Sequence, residues 1–348
     1  MELSTTIPAL LVKHAAAHGS ETILRKKDRG IWNAVTWSQL AEHVRGIGQG
    51  LLQAGLTPGA TVAVLSGTRP ELVYADLAIL GCGAISAAVH PDEEIPQAGA
   101  LLRETGATIA IVEGEEQLDK ILTLRSECPG LRQIVIIDMK GLREFQDPIC
   151  LSLADLVAAG ASRNDWQQTM ARVGADAPAA VLGAGQVVTH ADIMRSVQDI
   201  GQSLGVRAGD ERLAVLPMSD PTERIFGLYL ALAHRIVSNY LENPETATEN
   251  LREVKPNVLG ANAEAWERLH ARTAALAEAA TGVQKALYNW AIDGGLLANL
   301  LVLRSVRTHL GFGNLRIAYV GDGKISPEAE RWATGLGITV RHINPFQK

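Results

Sequence analysis

Short apolar runs alternate with amphipathic stretches from Thr61 onward, and this rhythm restricts the fold more than any other feature of the chain. Residues 61–65, Thr-Val-Ala-Val-Leu, form a run closed by Ser66-Gly67. A run of that kind is satisfied only when both faces of the strand are covered, as inside a parallel sheet. Pro70 then opens a helix through Leu80, since proline suits the first helical turn. The alternation continues with strands predicted at 84–89, 108–112 and 133–138 and helices at 97–104 and 115–127. Upstream, Thr36 caps a helix to Ala54 whose Leu40, Val44, Ile47 and Leu51 recur at helical spacing, stopped by Gly55 and Pro58. The implied class is α/β, with mainly parallel sheets flanked by helices.

After a polar stretch at 161–177 a second series starts, with strands at 179–182, 212–216 and 236–240 and helices at 191–204 and 222–233. Residues 264–310 read as mostly helical, 315–320 as a strand and 327–336 as a helix. The expected organisation is two α/β subdomains, 1–170 and 171–348, with the boundary near 160–178. No internal sequence repeat or low-complexity tract is visible.

Hydrophobic residues fill 47% of the 348 positions, enough for a substantial core and too many for a disordered chain. The 32 basic and 38 acidic residues are intermixed and leave a net charge of −6, so there is no basic field for nucleic acid. Cys82, Cys128 and Cys150 are odd in number and far apart, which points to reduced thiols in a cytoplasmic protein. The start of the chain lacks a basic segment followed by a long apolar core, so no secretory signal is expected. The best membrane candidate, 286–303, is interrupted by Asp293, Gly294 and Gly295, whereas a span needs about 20 apolar residues. No transmembrane segment is expected. His14 and His18 stand at helical spacing without further ligands close in sequence, which suits solvated helix positions better than a metal site.

The order of Leu216-Pro217-Met218-Ser219-Asp220-Pro221-Thr222-Glu223-Arg224, then Asn243-Pro244-Glu245-Thr246, then residues 250–256, resembles the long-chain fatty acyl-CoA synthetases of the adenylate-forming, AMP-binding superfamily. The similarity also takes in residues 66–78, 129–147 and Ala265-Trp266-Glu267-Arg268-Leu269. It covers nearly the whole chain, which corresponds to the N-terminal part of such an enzyme. The resemblance implies the large-domain fold of adenylate-forming enzymes, two α/β subdomains of which the second is incomplete, without the small C-terminal domain. Members of that family join a carboxylate to ATP, with Mg²⁺, and pass the acyl group to a thiol such as that of coenzyme A.

Attack of a carboxylate anion on a phosphate anion needs oriented donors and positive charge. The family supplies them from a loop rich in Ser, Thr and Gly that ends in Pro-Lys-Gly. At that place this chain reads Leu182-Gly183-Ala184-Gly185-Gln186-Val187-Val188-Thr189-His190, which is shorter, has no Lys, Arg or Ser, and has Thr189 as its one hydroxyl. Gly183-Ala184-Gly185 also resembles a shortened dinucleotide fingerprint whose third glycine is replaced by Val188, although a tight turn explains both glycines without a ligand. Asp220 stands where long-chain synthetases usually carry a histidine, and Glu223-Arg224 suits a helix start, the acid complementing the dipole. Val320-Gly321-Asp322-Gly323-Lys324-Ile325-Ser326-Pro327-Glu328 resembles the family's adenine-side stretch, but Asp322 brings negative charge towards a nucleotide. Gly183, Gly185, Thr189, Asp220, Gly321, Asp322 and Gly323 are therefore read as degenerate positions of a nucleotide site. Trp266 matches the tryptophan that gates the family's fatty-acid tunnel; on a helix beside Leu269 it equally suits a core position. Residues 341–348 lack the Thr and Glu that support Mg²⁺ in the family.

The combined expectation is a truncated acyl-CoA synthetase-like protein, cytoplasmic or peripheral to a membrane, unable to adenylate fatty acids alone. No catalytic residue, metal or cofactor is assigned; ATP and Mg²⁺ enter only if the family activity is kept. The expected partners are a long-chain fatty acid or acyl group, a second copy of the chain, or a full-length synthetase. Two alternatives stand beside this reading. One is an active ATP-dependent long-chain fatty acid–CoA ligase using a replaced site or a partner chain, the other a regulatory subunit of a full-length synthetase.

Overall fold

The computed structural model describes residues 5–183, 185–278, 304–321 and 323–343. The chain opens with α1 (Ile7–His18), the strands β1 (Thr22–Asp28) and β2 (Ile31–Thr36), and α2 (Trp37–Gln53). Thr36 is the N-cap of α2, as its position predicts, and closes a capping box with Gln39. Contacts group the chain into two units. The first is made of Met1–Leu24, Ala34–Gln198 and Pro217–Pro221, the second of Arg25–Asn33, Asp199–Leu216 and Thr222–Lys348.

In the first unit, β3 (Thr61–Leu65), β4 (Ile85–Val89), β5 (Ile109–Val112), β6 (Gln133–Ile136), β7 (Cys150–Ser152), β8 (Pro178–Leu182) and β9 (Gln186–Thr189) form one sheet in the order β7-β6-β5-β3-β4-β8-β9. Every pairing from β7 across to β8 is parallel, and β9 alone runs antiparallel. The crossovers are α3 (Pro70–Gly81), α4 (Ile95–Thr105) and α5 (Glu115–Leu124), followed by α6 (Leu153–Gly160) and α7 (Trp166–Ala171). All five residues of β3 are buried, as its continuous apolar run requires of a central strand. Trp166 of α7 occupies the space beside Gly48 of α2 and Gly81 of α3, where an added Cβ would come within 2.1 Å of its ring. Close helix packing here depends on those two glycines.

The helix α8 (His190–Leu204) leads to the second unit, which holds β10 (Glu211–Ala214), a π-helix (Thr222–Tyr229), α9 (Leu230–His234), β11 (Val237–Tyr240), α10 (Ala247–Val254) and β12 (Val258–Ala261). There follow α11 (Ala263–Glu278), α12 (Arg304–Leu310), β13 (Ile317–Val320), α13 (Pro327–Gly335) and β14 (Val340–His342). The second sheet has the order β14-β13-β12-β10-β11-β1-β2. Counting β3 to β7 as one to five, the first sheet reads five-four-three-one-two and is extended by β8 and β9. Counting β10 to β14 likewise gives the same order, extended by β1 and β2. This is the doubly wound flavodoxin-like order, occurring twice in a chain whose sequence shows no repeat.

Three expectations need correction. No change of unit falls near 160–178; the chain leaves the long segment of the first unit between Gln198 and Asp199, because β8 continues the first sheet by pairing with β4 (Ser86↔Ala180, Ala87↔Val181). The helix expected over 222–233 opens as the π-helix and becomes α-helical only at Leu230. The polar stretch 161–177 contains α7, anchored by buried Trp166. Among the described residues no helix is long and apolar enough to cross a membrane, and the stretch 286–303 lies outside them.

Candidate functional site

The segment read from the sequence as standing in place of a phosphate loop is a β-hairpin. Leu182↔Gln186, Val181↔Val187 and Ala180↔Val188 pair across it, leaving positions 183–185 as a three-residue turn. Gly183 has φ +48° and Gly185 φ +87°, conformations that glycine adopts without strain. The Gly185 N–H donates to the Gly183 carbonyl at 2.8 Å, so this donor closes the turn on itself. Thr189 and Asp192 build a reciprocal cap on α8. The Thr189 hydroxyl donates to the Asp192 carboxylate at 2.7 Å, the Thr189 N–H does so at 3.1 Å, and the Asp192 N–H donates to Thr189 Oγ1 at 3.1 Å. These bonds hold the Asp192 carboxyl below the usual carboxylate range. The segment's one hydroxyl is committed to starting a helix, and the turn carries no cation. This donor set does not fit a magnesium triphosphate.

Directly after the hairpin, His190 is fully buried, and neither of its ring nitrogens has a hydrogen-bond partner among the described residues. Burial pushes its pKa down to about 4, against the opposing pull of the Asp76 carboxylate. Asp76 of α3 is itself buried and accepts the Ser86 hydroxyl at 2.7 Å. At the C-terminal ends of β3 and β5, where doubly wound sheets commonly open a crevice, Glu113 accepts from Gly67 N–H (2.6 Å), Ser66 Oγ (3.2 Å) and Arg69 Nη1 (3.2 Å). Those donors already hold an anion of the chain's own. Asp220, also grouped with the first unit, donates its N–H to the Pro217 carbonyl at 2.9 Å in a tight turn.

The remaining positions gather in the second unit. Gly321 follows β13, and a Cβ there would lie 2.0 Å from Thr222 Oγ1, so only glycine fits. Gly323 has φ +77°, and its Cβ would stand 3.1 Å from that of Ala263, at the start of α11. Asp322 lies outside the described residues. Trp266 is 1% exposed, packs with Leu259, Phe312 and Trp332, and donates its indole N–H to the Tyr319 carbonyl at 3.1 Å. The next residue, Glu267, accepts from the Ser326 hydroxyl at 3.1 Å and so joins α11 to the start of α13.

A buried charge pair escaped the sequence reading. Glu223, expected only to complement a helix start, receives Arg212 Nη2 on both carboxylate oxygens at 2.5 and 2.6 Å, and each side chain is 2% exposed. Burial pushes the Arg212 guanidinium pKa down, but the Glu223 carboxylate together with the nearby Tyr319 and Tyr240 hydroxyls outweighs it and leaves it raised. Gly227 makes room for the pair, since a Cβ there would come within 2.6 Å of Glu223 Oε1. Tyr319 crosses Gly260 and donates its hydroxyl to the Phe226 carbonyl at 2.8 Å, fastening the π-helix to the sheet. The sequence signal was Arg212 opening the run 212–216, whose other four residues are apolar, since a charge drawn into such a strand demands a buried partner.

No group of three or more His, Cys, Asp or Glu is placed to hold a metal ion among the described residues. His14 lies against Trp37 at 4.9 Å and beside His18 at 6.1 Å between ring centroids, and His18 bonds Glu21 at 2.9 Å. All three cysteines are free thiols; burial pushes Cys82 up to about 12 and Cys150 up to about 11, which leaves both protonated at neutral pH.

A family model described as AMP-binding enzyme matches residues 11–182. The long-chain-fatty-acid–CoA ligase FadD15 of Mycobacterium bovis is 22% identical, over 96% of this chain and 59% of its own length. The long-chain-fatty-acid–CoA ligase ACSBG2 of Xenopus laevis is 20% identical, over 97% of this chain and 50% of its own. The chain thus spans about half the length of the curated relatives it matches. Among solved structures, the adenylation and carrier didomain of the Segniliparus rugosus carboxylic acid reductase, in complex with AMP, superposes with a TM-score of 0.77 at 16% identity, covering 97% of this chain and 52% of that one. The fold is therefore that of an adenylate-forming large domain, two mostly parallel sheets flanked by helices. With a matching family model over residues 11–182, relatives along nearly its whole length and the same architecture, this chain is similar to the N-terminal part of the AMP-binding enzymes.

Proposed function

We propose that this protein is a long-chain acyl-CoA synthetase-like member of the family that does not by itself activate fatty acids with ATP. The observation that carries the reading is the Gly183–Gly185 hairpin turn, whose Gly185 N–H bonds back within the turn and whose nearest hydroxyl in the sequence caps a helix. Each oriented donor on a developing charge contributes about 3 kcal/mol to a transition state, so losing several together removes most of the rate enhancement. The names of the curated relatives support long-chain fatty acids as the ligand class. For Trp266 to gate an acyl passage it must leave a buried position and break its bond to the Tyr319 carbonyl, which favours its service as core.

Calorimetric titration of the folded chain tests this directly, first with ATP·Mg²⁺ and then with a long-chain fatty acid. The expected outcome is no heat from ATP and saturable binding of the fatty acid. Saturable ATP binding with pyrophosphate release on addition of the acid overturns the proposal in favour of an active ligase. Silence from both ligands, with co-purification of a full-length synthetase whose rate then changes, replaces it by a regulatory subunit.

A further inference from the structure

The corner between β9 and α8 is held shut over a side chain that the interior does not satisfy. His190 is fully buried, and a neutral imidazole carries one N–H donor and one acceptor, each costing about 1–3 kcal/mol when left unpaired. Asp76, on α3, is the ionisable group acting on the ring among the described residues, and it already takes the Ser86 hydroxyl. On the ring's own helix, Asp192 is spent on Thr189.

The restraints on this corner are few. Among the described residues β9 is the last strand of its sheet and pairs only with β8, across a turn that carries Gly183 and Gly185. Behind it, the His190 N–H donates to the Ala177 carbonyl at 3.2 Å and the Ala191 N–H to that of Ala175 at 2.7 Å. Val187 is half exposed and Val188 is buried, so releasing the strand uncovers one buried valine of the two. Detaching an edge strand and one helical turn is a far smaller opening than dissolving the sheet.

We propose that His190 is an acid-sensitive latch: a proton taken up by its ring releases the β9–α8 corner, residues 186–192, while the rest of the first unit stays folded. The sign follows from linkage. A histidine whose pKa is lower in the closed form than in the open one stabilises closure fully above pH 6.5, and that support fades as the pH falls towards about 4. From these two values the opening equilibrium rises about 30-fold between pH 7.5 and pH 5.0. The inference stands independently of the proposed ligand chemistry.

Hydrogen exchange of the full chain at pH 7.5 and pH 5.0, corrected for intrinsic exchange rates, measures it. Peptides covering 183–195 lose protection about 30-fold at the lower pH while those from β3 and β5 keep theirs, and His190→Gln and His190→Leu remove the difference. An unchanged corner at pH 5.0 overturns the latch, as does a loss spread evenly over the sheet. Should both variants fail to fold, the wild-type pattern alone decides between these outcomes.

Discussion

Replacing Glu223 by glutamine keeps the side-chain shape and removes the charge opposite Arg212. The guanidinium would remain 2% exposed, with Ser238 Oγ at 3.3 Å as a neutral contact and its Nε unpartnered. Opposite charges about 3 Å apart attract by about 5 kcal/mol at an effective dielectric of about 20. Breaking a buried pair from one side accordingly costs about 3–5 kcal/mol, because the surviving charge loses the carboxylate that compensates it. Removing both charges is different. Arg212→Met combined with Glu223→Leu discards the desolvation cost along with the attraction, and should fall within about 2 kcal/mol of the wild type. Urea unfolding followed by far-UV circular dichroism, with exchange of β10 peptides reporting the second unit, gives the double-mutant cycle. Adding 0.5 M salt should leave the coupling almost unchanged, since buried charges are weakly screened. A single-variant cost below about 1 kcal/mol, or a double variant no more stable than either single one, refutes the reasoning.

Two further perturbations probe the first unit. Gly48→Ala places a methyl group 2.1 Å from the Trp166 ring, and overpacking of this kind costs about 1–3 kcal/mol, visible as a lower urea midpoint and altered tryptophan fluorescence. Thr189→Val removes the hydroxyl of the α8 cap and should cost about 1 kcal/mol, with faster exchange confined to the first turn of that helix.

The sequence by itself determined the class of the fold, the positions of most of its strands and the family resemblance. Runs such as 62–65 and 134–137 are apolar on both faces, and a chain bearing them in alternation with helices has few alternatives to parallel sheets. It also carries the reading of a missing phosphate loop, since absent lysines and hydroxyls are visible as letters. Pairing was not visible. That β8 extends the first sheet, or that both sheets share one strand order, depends on hydrogen bonds between segments far apart in the chain, which local periodicity does not encode. Burial was equally a tertiary matter: Glu223 reads as an ordinary helix-start acid until β10 brings Arg212 against it, and His190 reads as an ordinary helix start until α3 brings Asp76 near its ring. A side chain's charge cost is set by the groups that surround it, and those are chosen by the packing of the whole unit.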